Sequence, residues 1–253
     1  TKIIEKTNTR DHTERLMHYL RIKFKKKILS RRSTSIELDG PYEIKPRDIT
    51  VASDPSSAAF FIVGALIIPD SMITLKNIAL NKSRTAFIDI LKKMGGKIKI
   101  KKTKTVSGED VGDIHVSYSL LNAVKIKASS SPYLIDEYPI LSVAASQAKG
   151  VTVMRGLSEL RHKESDRIKS ITTNLSKVGF KVVSKKDDIS IKGSSKIQIT
   201  NQKKIKTYGD HRIAMSFAIL SLLYKNKLII DDESCISISY PDFKKHLKKL
   251  STY

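Results

Sequence analysis

A dense run of charged residues follows a short apolar segment beyond the middle of the chain. The sequence GLSELRHKESDR comes directly after the alternating run VTVM and contains Lys163 and Glu164 before it ends at Arg167. Either Ser165 or Asp166 can cap a helix that begins at Arg167. The free N–H groups of that helix and the neighbouring cations would then face a site for an anion. The alternative is a charged turn that is simply exposed to solvent.

Two further stretches, SPYLIDEYPIL and YGDHRIAM, place ionisable groups where apolar segments begin. These groups are Asp136 and Glu137 in the first stretch, and Asp210, His211 and Arg212 in the second. An unpaired buried charge costs several kcal/mol, so groups in such positions need partners. Three stretches of this kind in one chain predict a single anion-binding cleft from which water is largely excluded.

Composition narrows the possible functions. The chain has 253 residues and a net charge of +22, but its lysines are scattered and accompany no recognisable nucleic-acid-binding module. We therefore expect nonspecific binding of polyanions at low salt and no specific nucleic-acid partner. The single cysteine, Cys235, excludes a disulfide framework and a cysteine-based metal cluster, and no other residues have metal-ligand spacing.

Localisation can also be predicted from the sequence. The longest apolar run, at residues 58–68, is too short to span a bilayer, and the first residues mix charged and apolar side chains unlike a signal peptide. A single cysteine fits a reducing compartment. We expect a cytoplasmic protein without a membrane partner. We also expect no cofactor, since the sequence contains neither metal-ligand spacing nor a glycine-rich phosphate loop.

The elements that must position these charged groups repeat along the chain. From residue 51 onward, an apolar helix, a turn and an alternating strand occur three times, and each set is followed by an amphipathic helix. This pattern predicts three α/β units over residues 51–253, with the apolar helices buried and the amphipathic ones outside. Ser56 and Ser57 are expected to cap the first apolar helix.

Residues 1–50 follow a different plan. A helix is expected near Arg10, and strands are expected at residues 21–24 and 35–38. Fifty residues cannot close a core of their own. We therefore interpret this segment as the remainder of a second, incomplete lobe.

Several long motifs resemble the 5-enolpyruvylshikimate-3-phosphate synthase family, in its bacterial class with KESDR and DEYP. They are SDPSSAAF, IDEYPIL, ELRHKESDRI and YGDHRIAMS, and the resemblance extends from TRDHTERL to SYPDF, which is nearly the whole chain. The resemblance implies an α/β transferase of two lobes, each with three βαβαββ units and inward-packed helices. It also implies enolpyruvyl transfer from phosphoenolpyruvate to the 5-hydroxyl of shikimate 3-phosphate, in the shikimate pathway of aromatic amino acid biosynthesis.

The resemblance also implies roles for individual residues. Asp136 matches a carboxylate proposed as proton acceptor, and Glu164 matches one assigned to proton transfer at the phosphoenolpyruvate carbon. The cations that match substrate-binding residues are Lys163, Arg167 and Arg212, with Arg10 near the shikimate phosphate. Asp210 and His211 are expected to support them, with His211 orienting Arg212 or Asp210. Two structural alternatives stay open: Asp136 as a helix cap, and Arg212 in a buried salt bridge to Asp210.

Family members carry a substantial N-terminal portion with a Lys-Ser substrate loop that this sequence lacks. The chain therefore resembles a C-terminal portion, which would be inactive alone or would need a separately encoded N-terminal partner. A second interpretation is a non-catalytic remnant or a basic binding protein. The related transferase that acts on UDP-N-acetylglucosamine fits less well, because its loop cysteine has no counterpart when Cys235 follows a strand.

Overall fold

The computed structural model describes residues 1–6, 10–30, 33–225 and 227–251, which form an α/β fold. Within these residues no helix is both long and apolar enough to cross a membrane.

The first fifty residues form a small antiparallel sheet and one helix. Their elements are β1 (Lys2–Glu5), α1 (His12–Tyr19), β2 (Lys25–Ile28) and β3 (Thr34–Glu37). The sheet has the order β1-β3-β2, and the buried residues described in this segment, Glu14, Thr34 and Ser35, are all polar. The segment therefore has no apolar core of its own among its described residues.

One strand of this segment is displaced from its predicted position. The prediction of a strand at residues 21–24 is wrong, because Arg21 and Ile22 close the turn that follows α1 and the strand begins only at Lys25. Arg21 has a φ of 60°, and the N–H groups of Arg21 and Ile22 donate to the carbonyls of His18 and Met17. Pairing with β3 starts only at Lys25. The strand predicted at residues 35–38 matches β3 to within one residue.

The first stretch beyond residue 51 contains α2 (Pro55–Ile67), β4 (Met72–Ala79), α3 (Lys82–Lys93), β5 (Lys97–Val106) and β6 (Glu109–Ser117). Its sheet is antiparallel with the order β4-β6-β5. The cap of α2 is Asp54, whose carboxylate accepts from the backbone N–H groups of Ser56 and Ser57. The prediction that these serines are the caps is therefore wrong, since they donate to the cap instead.

The second stretch contains β7 (Lys125–Ile126), α4 (Tyr138–Gln147), β8 (Val151–Met154), α5 (Arg167–Val178), β9 (Lys181–Lys185) and β10 (Asp188–Lys192). The third contains β11 (Lys203–Ile205), α6 (His211–Ser221), β12 (Leu228–Ile230), α7 (Ser234–Ser239) and α8 (Phe243–Ser251). Strands β7-β8-β10-β9 form one sheet, and β11 pairs in parallel with β12. Short 3₁₀ helices at Ala128–Tyr133 and Ser158–His162 precede α4 and α5.

Helices α2, α4 and α6 pack against one another and form the centre of the core. They are apolar on all sides, which is typical of helices without a solvent-facing surface. Helices α3 and α5 instead bury one face each, and α5 begins at Arg167 as predicted. Side chains at the starts of α2, α4 and α6 contact one another, through Ser56, Glu137 and Arg212. The first turns of the three buried helices therefore meet at a group of polar and charged side chains.

Candidate anion-binding site

Asp136 lies at the centre of a cluster of cations drawn from distant parts of the chain. The closest is Arg10, whose Nη2 lies 2.7 Å from Oδ2 of Asp136. Arg212 Nη2 is 3.9 Å from the same oxygen, while Arg167 Nη1 and Lys163 Nζ lie 3.7 Å and 4.0 Å from Oδ1. The structure thus brings together one carboxylate and the four cations named from the sequence. We call these five residues the ionic cluster.

The cluster controls the charge of Asp136. Burial alone would raise the pKa of this carboxyl group, but Arg212, Arg10 and Lys163 outweigh burial and lower the pKa to about 2. Asp136 is therefore ionised at neutral pH. The alternative role of Asp136 as a helix cap is not what the structure shows, since Glu137 occupies the N-cap position of α4.

Arg167 is the most rigidly held cation of the cluster. It is fully buried, its Nε donates to Oδ2 of Asp210 at 2.8 Å, and its Nη2 donates to Oε2 of Glu164 at 2.6 Å. These two carboxylates offset the cost of burying the guanidinium. Its Nη1 has no hydrogen-bond partner among the described residues and lies on the side of Asp136. Nη1 is thus a buried donor whose hydrogen-bonding capacity the described residues leave unused.

Asp210 holds two elements of the site at once. Besides Arg167, its carboxylate accepts from the backbone N–H of Arg212 at 2.9 Å, so that it caps α6. The guanidinium of Arg212 turns the other way and donates from Nη1 to the backbone oxygen of Asp136 at 3.1 Å. The alternative of a buried salt bridge between Arg212 and Asp210 is therefore wrong, because Arg167 is the partner of Asp210.

His211 and Glu164 lie next to the cluster. Nδ1 of His211 is 3.9 Å from Oε1 of Glu164. Burial and, to a lesser degree, the charge of Arg212 lower the pKa of His211, although Asp210 and Glu164 act in the opposite direction. His211 is therefore neutral at pH 7. Its expected role in orienting Arg212 or Asp210 stays a prediction.

The loop that carries Lys163 and Glu164 is fixed at both ends. Arg161 donates to Asp166 at 3.1 Å and to Asp187 at 3.3 Å, and Asp166 in turn caps α5 by accepting from the N–H of Lys169. The loop is thus not a solvated charged turn, because its charges are paired with neighbouring elements.

Gly156 allows the loop to leave β8. It has a φ of 72°, and a Cβ atom there would lie 2.5 Å from Cβ of Ala128. Only glycine adopts this backbone conformation and this close approach without strain. The start of the loop is therefore set by a steric requirement as well as by ion pairs.

A second chain of contacts leads into the cluster and was not predicted from the sequence. Arg84 donates from Nη2 to Oγ of Ser56 at 2.8 Å, and Ser56 donates to Oε1 of Glu137 at 2.5 Å. Glu137 is only 3% exposed, and its Oε1 lies 4.0 Å from Nη1 of Arg212. Burial, which outweighs the Ser56 hydrogen bond and the nearby arginines, raises the pKa of Glu137. The sequence signal was the position of the Asp-Glu pair between apolar residues in LIDEYPIL.

Within the described residues, no three His, Cys, Asp or Glu side chains converge as metal ligands. What the structure does gather is three arginines and one lysine around Asp136, and an arginine can bind a carboxylate or a phosphate at two oxygens. The arrangement suits a small ligand with several negative charges. The fold and the cluster together are those of an α/β protein with a candidate anion-binding site beside the core helices.

The fold is that of the enolpyruvyl transferases. The enolpyruvyl transferase NikO from Streptomyces tendae superposes with a TM-score of 0.73 over 98% of this chain and 55% of NikO, and its 14% identity supports the fold alone. EPSP synthase from Acinetobacter baumannii superposes with a TM-score of 0.87 at 34% identity, over 99% of this chain and 56% of that chain.

Sequence comparison identifies the family. The model of the EPSP synthase (3-phosphoshikimate 1-carboxyvinyltransferase) family matches residues 1–247, and the chain belongs to this family. The 3-phosphoshikimate 1-carboxyvinyltransferases of Petrotoga mobilis and Carboxydothermus hydrogenoformans are 41% and 42% identical over 99% of this chain. The chain spans a little over half the length of these relatives, 56% and 57% respectively.

Proposed function

We propose that the protein takes part in the transfer of the enolpyruvyl group from phosphoenolpyruvate to the 5-hydroxyl of shikimate 3-phosphate. The observation that carries this proposal is the ionic cluster, in which four cations surround one carboxylate and Nη1 of Arg167 has no hydrogen-bond partner among the described residues. Both substrates are multiply anionic, and such a cluster would bind them through charge-assisted hydrogen bonds. Family membership supports the same reaction.

The roles of the residues follow from the chemistry of addition and elimination. A base must take the proton of the 5-hydroxyl, and an acid must protonate the methylene carbon. We assign the base to Asp136 and proton transfer at the carbon to Glu164. Arg167 and Arg212 would hold phosphoenolpyruvate, and Lys163 would contact substrate.

Two other groups would support these residues. Arg10 would lie at the phosphate of shikimate 3-phosphate, and Asp210 and His211 would orient the arginines. Asp210 already fixes Arg167 and the first turn of α6 through hydrogen bonds of 2.8 and 2.9 Å.

Substrate binding would make Asp136 a better base. In the ligand-free protein its pKa is about 2, because Arg212, Arg10 and Lys163 stabilise its ionised form. Bound phosphate and carboxylate groups would neutralise these cations, and burial would then raise the pKa of Asp136. The carboxylate would thus gain basicity only when both anions are in place.

We further propose that residues 51–253 form one lobe of three α/β units and that residues 1–50 belong to an incomplete second lobe. This division is supported by the absence of buried apolar residues among the described part of residues 1–50. Because the chain spans little over half the length of its relatives, catalysis would also require the portion of those relatives that these residues do not match. The cytoplasmic location and the absence of a specific nucleic-acid partner stay predictions from the sequence.

The alternative functions receive no specific support from the structure. Cys235 lies buried at the start of α7, and its thiol donates to the backbone oxygen of Asp232. This position differs from the loop cysteine expected of a transferase that acts on UDP-N-acetylglucosamine. A non-catalytic remnant or a basic binding protein would retain the fold and lack turnover.

The test is phosphate release from phosphoenolpyruvate and shikimate 3-phosphate, with and without an added N-terminal portion of a family member. We expect activity only with the added portion, and Asp136→Asn should abolish it without changing the circular dichroism spectrum. Absence of turnover in both mixtures would favour the remnant, and full turnover of Asp136→Asn would remove Asp136 from its role.

A further inference from the structure

Glu137 occupies a position that connects the three buried helices. It precedes the first turn of α4, accepts a hydrogen bond from Ser56 in the first turn of α2, and faces Arg212 in the first turn of α6. Its side chain is almost completely buried, at 3% exposure. A buried carboxyl group in such a place must be held by its neighbours, and it can in turn restrict where they lie.

The neighbours of Glu137 form a directed chain of donors. Arg84 donates to the hydroxyl oxygen of Ser56, so the hydroxyl hydrogen is left to donate to Glu137. Arg84 is itself fixed by Asp54, the cap of α2, at 2.8 Å. Residues at the beginnings of α2 and α3 therefore fix the position of the Glu137 carboxyl group. Neither helix carries a residue assigned to the reaction.

On its other side, Glu137 meets the guanidinium of Arg212. Nη1 of Arg212 lies between Oε1 of Glu137, at 4.0 Å, and the backbone oxygen of Asp136, at 3.1 Å. Nη2 of the same guanidinium faces the carboxylate of Asp136 at 3.9 Å. Contacts on two sides of a planar guanidinium fix its orientation as well as its place.

We propose that Glu137 is a positioning residue, which is fastened by Ser56 and Arg84 and which holds the guanidinium of Arg212 in the orientation that binds an anionic substrate. This inference rests on the proposed function, since it assigns Arg212 to the binding of phosphoenolpyruvate. Glu137 itself does not touch the substrate in this role.

Two variants test the proposal. Glu137→Met has a side chain of similar length without oxygen atoms, and Ser56→Ala removes the hydroxyl that fastens Glu137 while leaving the carboxyl group. Ser56→Ala keeps the test valid if Glu137→Met does not fold. Glu159→Met makes the same change at an exposed position and is the matched control.

The first readout is the Nε–H signal of Arg212 in the ¹⁵N-labelled chain, assigned with Arg212→Lys. We expect faster exchange with water for this signal in both variants and an unchanged signal in Glu159→Met. The second readout is the affinity for phosphoenolpyruvate, measured by calorimetry. We expect this affinity to fall about tenfold in both variants, because a misoriented Arg212 would lose roughly one hydrogen bond to the charged ligand. A role limited to stability would lower the unfolding midpoint and leave both readouts unchanged.

A wild-type Arg212 signal in the folded variants would overturn the proposal, as would wild-type affinity for phosphoenolpyruvate. If the unsubstituted chain binds no phosphoenolpyruvate even with the added N-terminal portion of a family member, the proposed function is contradicted. The Arg212 signal then decides the positioning role by itself, because it requires no ligand.

Discussion

Replacing Asp136 by asparagine should destabilise the protein, because the carboxylate neutralises repulsion among four cations. The pKa of Asp136 is lowered from 3.8 to about 2 in the folded protein. Each pKa unit corresponds to about 1.4 kcal/mol, so ionised Asp136 contributes roughly 2 kcal/mol at neutral pH. Its side chain is only 17% exposed, so screening by solvent removes little of this contribution.

The pH dependence has a defined sign. The folded pKa lies below the unfolded value, so the contribution is complete above pH 3.8 and is lost as the pH falls towards 2. Urea unfolding at pH 7 should therefore show Asp136→Asn to be less stable than the parent chain by about 2 kcal/mol. The difference should be unchanged at pH 5 and should shrink below pH 3.8.

Asp39→Asn is the matched control, since Asp39 is 70% exposed and pairs with an exposed lysine at 3.4 Å. Its effect should stay within about 0.5 kcal/mol, as is usual for surface ion pairs. Equal or greater stability of Asp136→Asn at pH 7 would refute the reasoning. So would a difference that persists unchanged in acid.

Three other substitutions probe the surroundings of the cluster. In Arg167→Lys, one ammonium group cannot contact both Asp210 and Glu164, so the free energy of unfolding in urea should fall by about 3 kcal/mol. A loss below about 1 kcal/mol would contradict the buried pairing. Asp166→Ala removes the cap of α5 and should cost about 1 kcal/mol by the same assay, with no loss expected if the cap is unimportant. Burial lowers the pKa of His211 from 6.5, so the unfolded chain binds this proton more tightly and the free energy of unfolding falls as the pH drops through 6.5. His211→Gln should make this fall less steep between pH 7 and 5. An identical slope in the variant would contradict the lowered pKa of His211.

Features determined by neighbouring residues were predictable from the sequence. Helix α5 begins at Arg167 as predicted, because a capping aspartate directly precedes a helical apolar repeat, and the helix ends where Gly179 follows. The gathering of charges was also predictable, since each of the three charged stretches leads into a helix. In the structure, Arg167 and Arg212 in the first turns of α5 and α6 lie 3.7 Å and 3.9 Å from the carboxylate of Asp136, which precedes α4.

The choice of partners within the cluster was not predictable. Asp210 pairs with Arg167, 43 residues away in sequence, rather than with the nearby side chain of Arg212, because the packing of α5 against α6 brings the buried guanidinium to it. The contact between Ser56 and Glu137 spans 81 residues and depends on the packing of α2 against α4. Periodicity and spacing carry no information on such pairings.

The most direct test of the ionic cluster is calorimetric titration of phosphoenolpyruvate into the chain and into Arg212→Ala. Arg155→Ala, which removes an arginine that is 62% exposed, serves as the control. The account predicts saturable binding at one site that is retained in Arg155→Ala and weakened roughly 10-fold to 100-fold in Arg212→Ala, the range for lost hydrogen bonds to a charged group. Absence of saturable binding to the unsubstituted chain, or equal affinity in Arg212→Ala, would contradict it.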